Sequence, residues 1–185
     1  SPMLGDYMAE NITACFATAN QIGIKPEKII KAVSDFTGIK RRLEKRPAKD
    51  MIIFDDIAHS PAKASFTLKT LRRVYSNNKI TAIFEPNTGN RRSQSADGYA
   101  NAFKDADEII IPRLTKIKID PNDSDKPFDG EKLSSIISKT HQNTKYIGDD
   151  RELITRLKTK TQPNDVIVFL GSHGFRGVID EITKL

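Results

Sequence analysis

The chain holds one cysteine, Cys15, and no tryptophan among its 185 residues. A single thiol excludes an internal disulfide and any multi-cysteine metal site. No apolar run approaches the roughly 20 residues that a membrane-spanning helix needs, and residues 1–11 lack the basic-then-apolar order of a secretory leader. A cytoplasmic protein with no membrane partner is the expectation. Three catalytic signatures are also missing: the G-x-x-x-x-G-K-[ST] phosphate loop, the G-x-S-x-G nucleophile elbow and the H-E-x-x-H zinc pair. By itself the chain therefore has no phosphate loop with which to cradle ATP.

What is present describes an ordinary globular protein, because 37% hydrophobic and 29% charged residues fit neither a disordered nor a membrane class. Its length suits one domain with one complete core. The net charge of +6 points to an anionic partner. Basic residues gather at Lys40, Arg41, Arg42, Lys45, Arg46 and Lys49, with Arg91 and Arg92 further on. Nucleotide phosphates would suit this cluster. Nucleic acid is disfavoured, since few aromatics interleave with the basic stretch. For any single charge, a merely solvated face is the competing explanation.

Met8, Ile12, Cys15, Phe16 and Ala19 recur at spacings of three and four, predicting an amphipathic helix that ends near Gly23 with Cys15 in the core. A second helix is expected from Pro26 to Gly38, burying Ile29, Ile30, Val33 and Phe36. The pattern then changes. Short apolar runs at 51–54, 80–84, 108–111, 145–147 and 166–170 read as strands. Between them stand helical stripes of Ala64, Leu68, Leu71 and Tyr75, of Leu133, Ile136 and Ile137, and of Leu153, Ile154 and Leu157. Strands that alternate with helices predict an α/β fold, a mostly parallel sheet covered on both faces.

Three loops should leave that sheet at one edge, where ligands of open α/β sheets bind. The first carries Asp55, Asp56 and His59 ahead of Ser60 and Pro61, a pair suited to start a helix. Helix capping by Asp56 and Ser60 is its plain alternative. The second runs from Glu85 to Arg92. The third holds Gly171, Gly174 and Gly177 around Ser172 and His173; it either lets backbone N–H groups approach an anion or simply turns tightly. Asp120 and Glu131 have the spacing of the first and last ligands of a calcium loop. Asp125 stands where that loop requires glycine, so a solvated surface loop is expected. His141 lies in a polar stretch and is expected to be exposed.

Taken together, three segments in register resemble one family. They are residues 5–24; then Phe36, Thr37, Gly38, Ile39, Lys40, Arg41, Arg42, Leu43 and Glu44; then residues 55–61 with Asp55, Asp56, His59, Ser60 and Pro61. They resemble the carboxyl-terminal domain of the ATP-dependent Mur ligases of peptidoglycan synthesis, and the resemblance covers nearly the whole chain. It implies a three-layer Rossmann-like domain of a bacterial cytoplasmic enzyme. ATP and magnesium would act in the full-length enzyme, whose central ATPase domain would supply the phosphate loop, the magnesium ligands and a carbamylated lysine. ATP would phosphorylate a sugar-lactyl carboxylate, and an amine would attack the acyl phosphate. The present domain would be the lid that completes the site and excludes water, inactive alone.

Within the family, Phe84, Glu85 and Pro86, with residues 171–175, most resemble the murein peptide ligases. These join UDP-N-acetylmuramate to the tripeptide L-alanyl-γ-D-glutamyl-meso-diaminopimelate. The alternative is the sister ligase that adds L-alanine to the same sugar nucleotide and carries His and Arg where this chain has Asn87 and Thr88; the peptide ligases usually carry Arg and Ser there. Tyr7 and Met8 replace a usual His-Asn pair, and Leu43 replaces a Phe. By resemblance, Arg42 would contact the nucleotide, Asp56 the ATP ribose, and His59 would lie beside them. Asn87, Thr88, Asn90 and Arg91 would face the acidic substrate, and Ser172, His173 and Gly174 would close the peptide end. A non-catalytic α/β module that binds an anionic nucleotide or nucleic acid is the alternative from another class, recognisable by steep salt dependence.

Overall fold

The computed structural model describes residues 3–116 and 124–184. Two helices open the chain, α1 (Asp6–Gln21) and α2 (Pro26–Asp35). There follow strands β1 (Glu44–Arg46) and β2 (Ile52–Asp56), helix α3 (Pro61–Val74), and strands β3 (Ile80–Glu85) and β4 (Glu108–Pro112). Then come α4 (Gly130–Ser138), β5 (Thr144–Ile147), α5 (Asp150–Lys160), β6 (Val166–Gly171) and α6 (Val178–Thr183).

The six strands form one sheet in the order β1-β2-β6-β3-β4-β5, parallel except for β1. Alternation along each strand sorts its side chains between two faces. Phe54, Ala82, Phe84, Ile109, Val168 and Leu170 pack under Leu68 and Leu71 of α3 and Leu133 and Ile137 of α4. On the opposite face, Ile53, Ile83, Ile110, Ile167 and Phe169 meet Leu153 and Leu157 of α5 and Val178, Ile179 and Ile182 of α6. The result is the expected α/β arrangement, a mostly parallel sheet between two helical layers. Both faces being covered explains why β3 and β6 are buried at every position and read as continuous apolar runs.

The five strands expected from the apolar runs form within two residues of their bounds. Strand β1 has no apolar run to announce it: its three residues are charged, and pairing antiparallel with β2 at the sheet edge builds it. Two burial expectations are corrected. Cys15 is exposed. In α2 only Ile29 is buried, whereas Ile30 and Phe36 are 56% and 42% exposed, because α2 packs mainly on α1 and stands away from the sheet. That helix also stops at Asp35, where Phe36 turns extended, short of Gly38.

Register places the carboxyl edge of the sheet. Asp56, Leu170 and Phe84 lie in one row across β2, β6 and β3, and Glu85 faces Gly171 in the next. The three loops after these strands therefore emerge side by side at the carboxyl edge, as expected from the sequence.

Candidate functional site

Asp56 ends β2 and is 4% exposed. Its Oδ2 accepts the Leu43 N–H at 2.8 Å and its Oδ1 the Ala58 N–H at 2.7 Å. Burial pushes this carboxyl above the usual range, against the pull of those two N–H groups and of Arg42 and Arg41. Helix capping falls to Ser60 alone, whose Oγ accepts from Lys63 N of α3. Asp56 instead orders the loop, and since a carboxylate offers about four lone-pair positions, two are left to accept from a ligand.

Asp56 also lines a cleft of about 580 Å³ between α1 and α3, together with Tyr7, Arg42, Lys63, Phe66 and Thr70 among others. Arg42 is exposed and attracts Asp56 electrostatically without forming an ion pair with it or with Glu44, so its guanidinium can meet an incoming anion. Burial raises the Tyr7 hydroxyl pKa, and the Asp56 charge adds to the rise. Phe66, 69% exposed, supplies a flat apolar wall. Sequence reading missed both Phe66 and the position of Tyr7. Half-buried His59 does not line the cleft: its Nδ1 donates to Ile57 O at 2.7 Å, which turns the ring back on its own loop.

The second loop joins the first where Asn87 N donates to His59 O. Asn87 Oδ1 accepts from the backbone and side-chain nitrogens of Asn90, closing a tight turn through Thr88. The Tyr99 hydroxyl donates to Asn90 O, and burial raises its pKa. Arg91 is buried rather than open to an acidic substrate. Its guanidinium donates to Phe128 O and Thr115 O, and desolvation lowers its pKa despite the opposing charges of Glu85 and Asp129. Arg91 thus pins the segments at 115 and 128 behind the site.

In the third loop His173 and Gly174 are exposed and Ser172 is half-buried. Gly171 is tightly enclosed, since a Cβ there would lie 2.9 Å from both Glu85 O and the Phe175 ring. Two ion-pair centres escaped the sequence reading. Arg41 grips the carbonyl oxygens of Gly171, Ser172 and His173, and its Nε reaches Asp55 at 3.4 Å. Arg176 bridges Glu85 and Asp150, while Thr115 donates twice to Glu85. Neither arginine has a local sequence signal, because the partners lie up to 132 positions away.

Asp120 and the start of the calcium-like loop lie outside the described residues. Asp125 accepts from Ser93 N, and Asp129 caps α4 through Lys132 N. Among the described residues, no three His, Cys, Asp or Glu side chains gather to hold a metal ion. His141 is half-buried rather than exposed, its Nε2 donating to Ala106 O.

The family described as Mur ligase, glutamate ligase domain, matches residues 41–173, which span all three loops up to His173. The chain belongs to the Mur ligase family. It is 32% identical over 173 residues to the UDP-N-acetylmuramate–L-alanine ligase of Allorhizobium ampelinum, which covers 92% of this chain and 36% of that relative. Its fold is like that of the UDP-N-acetylmuramate–alanine ligase of Thermotoga maritima, with a TM-score of 0.76 at 22% identity over 97% of this chain and 37% of that one. A murein peptide ligase of Psychrobacter arcticus gives 0.68 at 23% identity over 98% and 37%. The chain spans little more than a third of the length of each. Within the Mur ligase domain the match begins at Arg41, so α1, α2 and the Tyr7 wall of the cleft precede the matched segment.

Proposed function

We propose that this chain is the carboxyl-terminal domain of an ATP-dependent ligase that joins L-alanine to UDP-N-acetylmuramate. The observation that carries the reading is the 32% identity, across nearly the whole chain, to a ligase named for L-alanine. The L-alanine reading is preferred to the tripeptide reading expected from residues 84–86 and 171–175. The tripeptide reading keeps the support of the likeness of Phe84, Glu85, Pro86 and residues 171–175 to the peptide ligases.

The residues present suit a nucleotide. Asp56 has acceptor capacity toward the cleft for sugar hydroxyls, and Arg42 offers an exposed charge to phosphates beside it. Asn87 ties the second loop to the first, and the third emerges between them, ready to meet the amine. ATP, when bound, supplies the phosphoryl group that activates the sugar-lactyl carboxylate, with magnesium and the phosphate loop coming from a central ATPase domain of the same protein. This domain orients the nucleotide and the amine and excludes water as it closes, which protects an activated acyl group from hydrolysis.

The test offers L-alanine and the tripeptide as competing amines to the full-length protein with UDP-N-acetylmuramate, ATP and magnesium. Preferential consumption of L-alanine is expected. Preference for the tripeptide would move the chain to the peptide ligases, and no turnover with either would overturn the ligase reading.

A further inference from the structure

We propose that Arg41 is a positioning residue that locks the glycine loop after β6 to the nucleotide-side loop, so that the amine end of the site is set by the segment that orders Asp56. The proposal rests on the ligase reading for its kinetic consequence, but not for the contact itself. The neighbouring arginine, Arg42, faces the cleft; Arg41 turns the other way.

Its backbone and side chain hold different loops. Arg41 O accepts from Ile57 N at 2.9 Å, and Arg41 N donates to Glu44 Oε2 at 2.8 Å, which fixes the 41–44 turn against the end of β2. Within that turn Leu43 N donates to Asp56. Arg41 and Leu43 both have positive φ, 58° and 45°, a conformation that non-glycine residues hold only where their surroundings enforce it. The side chain then crosses to the third loop. Nη1 donates to Ser172 O and Nη2 to Gly171 O and His173 O, so one guanidinium collects three successive carbonyls.

Neutralising Asp55 does not explain this arrangement. Only Nε faces Asp55, at 3.4 Å, while both terminal nitrogens serve carbonyls, and Arg46 also approaches Asp55 at 3.9 Å. The three carbonyls are reached from two terminal nitrogens held apart in a rigid planar fork, a spread and orientation that the single nitrogen of a flexible lysine does not reproduce. Gly174 has open space around it and Gly177 has positive φ, so the stretch beyond His173 gains little rigidity from its own backbone. The grip of Arg41 sets where Ser172 and His173 stand.

The experiment is Arg41→Lys in the full-length protein, read by hydrogen exchange and by kinetics. The backbone contacts of residue 41 survive this substitution, so the nucleotide side should keep its geometry. Exchange at the amides of 172–177 is expected to accelerate about tenfold. In turnover, kcat/KM for the amine should fall between about ten- and a hundredfold, as misplacement of a reacting group costs, while KM for ATP stays within about twofold. Unchanged exchange, or equal losses for ATP and amine, would overturn the proposal. Asp55→Asn is the companion variant: if it loosens 172–177 as much as Arg41→Lys does, the ion pair holds the loop and the carbonyl grip does not. Absence of wild-type turnover would overturn the ligase reading, leaving exchange to decide the tie.

Discussion

Gly171 and Gly174 stand three positions apart in one loop, yet they answer to different forces. A Cβ on Gly171 would press into the Glu85 carbonyl and the Phe175 ring, neither of which can retreat from the packed edge of β3 and β6. Gly171→Ala should therefore cost about 1–3 kcal/mol, the usual range for overpacking. Gly174→Ala meets nothing within 4 Å and should stay within about 0.5 kcal/mol. Urea denaturation of both variants checks the contrast, and equal effects would refute it. From sequence, the glycines at 171, 174 and 177 look alike, since a chain pattern says where flexibility is available but not where a neighbour forbids a side chain. Arg91 shows the same gap. Its type and spacing suggest an anion contact, whereas two backbone carbonyls from segments 24 and 37 positions away claim its guanidinium.

At the scale of elements, the alternation of apolar strands and helical stripes was enough to read the layers, because full burial leaves continuous apolar runs that polar edges do not. Strand β1 carries no such mark and was invisible, and the stripe on α2 misled because its helix packs on α1 instead of the sheet. Charges that join elements are equally hidden in sequence. Glu108, at the start of β4, accepts from Lys145 of β5 and Arg156 of α5 and pairs with Lys79 just before β3. Burial pushes its carboxyl up, but the hydrogen bonds from Arg156, Lys145 and Lys79 outweigh that and hold the pKa down to about 2, from 4.5. A carboxyl depressed on folding adds stability that is complete above its unfolded pKa and is lost as pH falls through the folded one. Stability should thus decline from about pH 4.5 toward pH 2, by on the order of 2 kcal/mol after discounting for the partly exposed partners. Glu108→Gln should flatten that part of the denaturation profile; an unchanged profile would show that the three cations contribute nothing.

Across the whole molecule, exposed Ile22, Ile24, Ile30, Phe36 and Ile39 cluster on and after the first two helices, apart from the sheet core. Phe66, at the cleft, faces outward as well. The cleft lies beside the first turns of α1, with Tyr7 on its wall and Arg42 and Asp56 also lining it. The family resemblance pointed to Asp56 and Arg42, and the structure puts both in the lining of one cleft. The cleft beside them, and the arginine that joins the loops, needed three dimensions. If the domain completes a nucleotide site, removing the Arg42 guanidinium removes a charge-assisted contact of about 1.5–3 kcal/mol. The direct measurement is the KM for ATP of the full-length protein carrying Arg42→Ala, with L-alanine saturating. A rise between about ten- and a hundredfold, with the KM for L-alanine unchanged, is the expected result; an unaltered KM for ATP would contradict the placement of the nucleotide in this cleft.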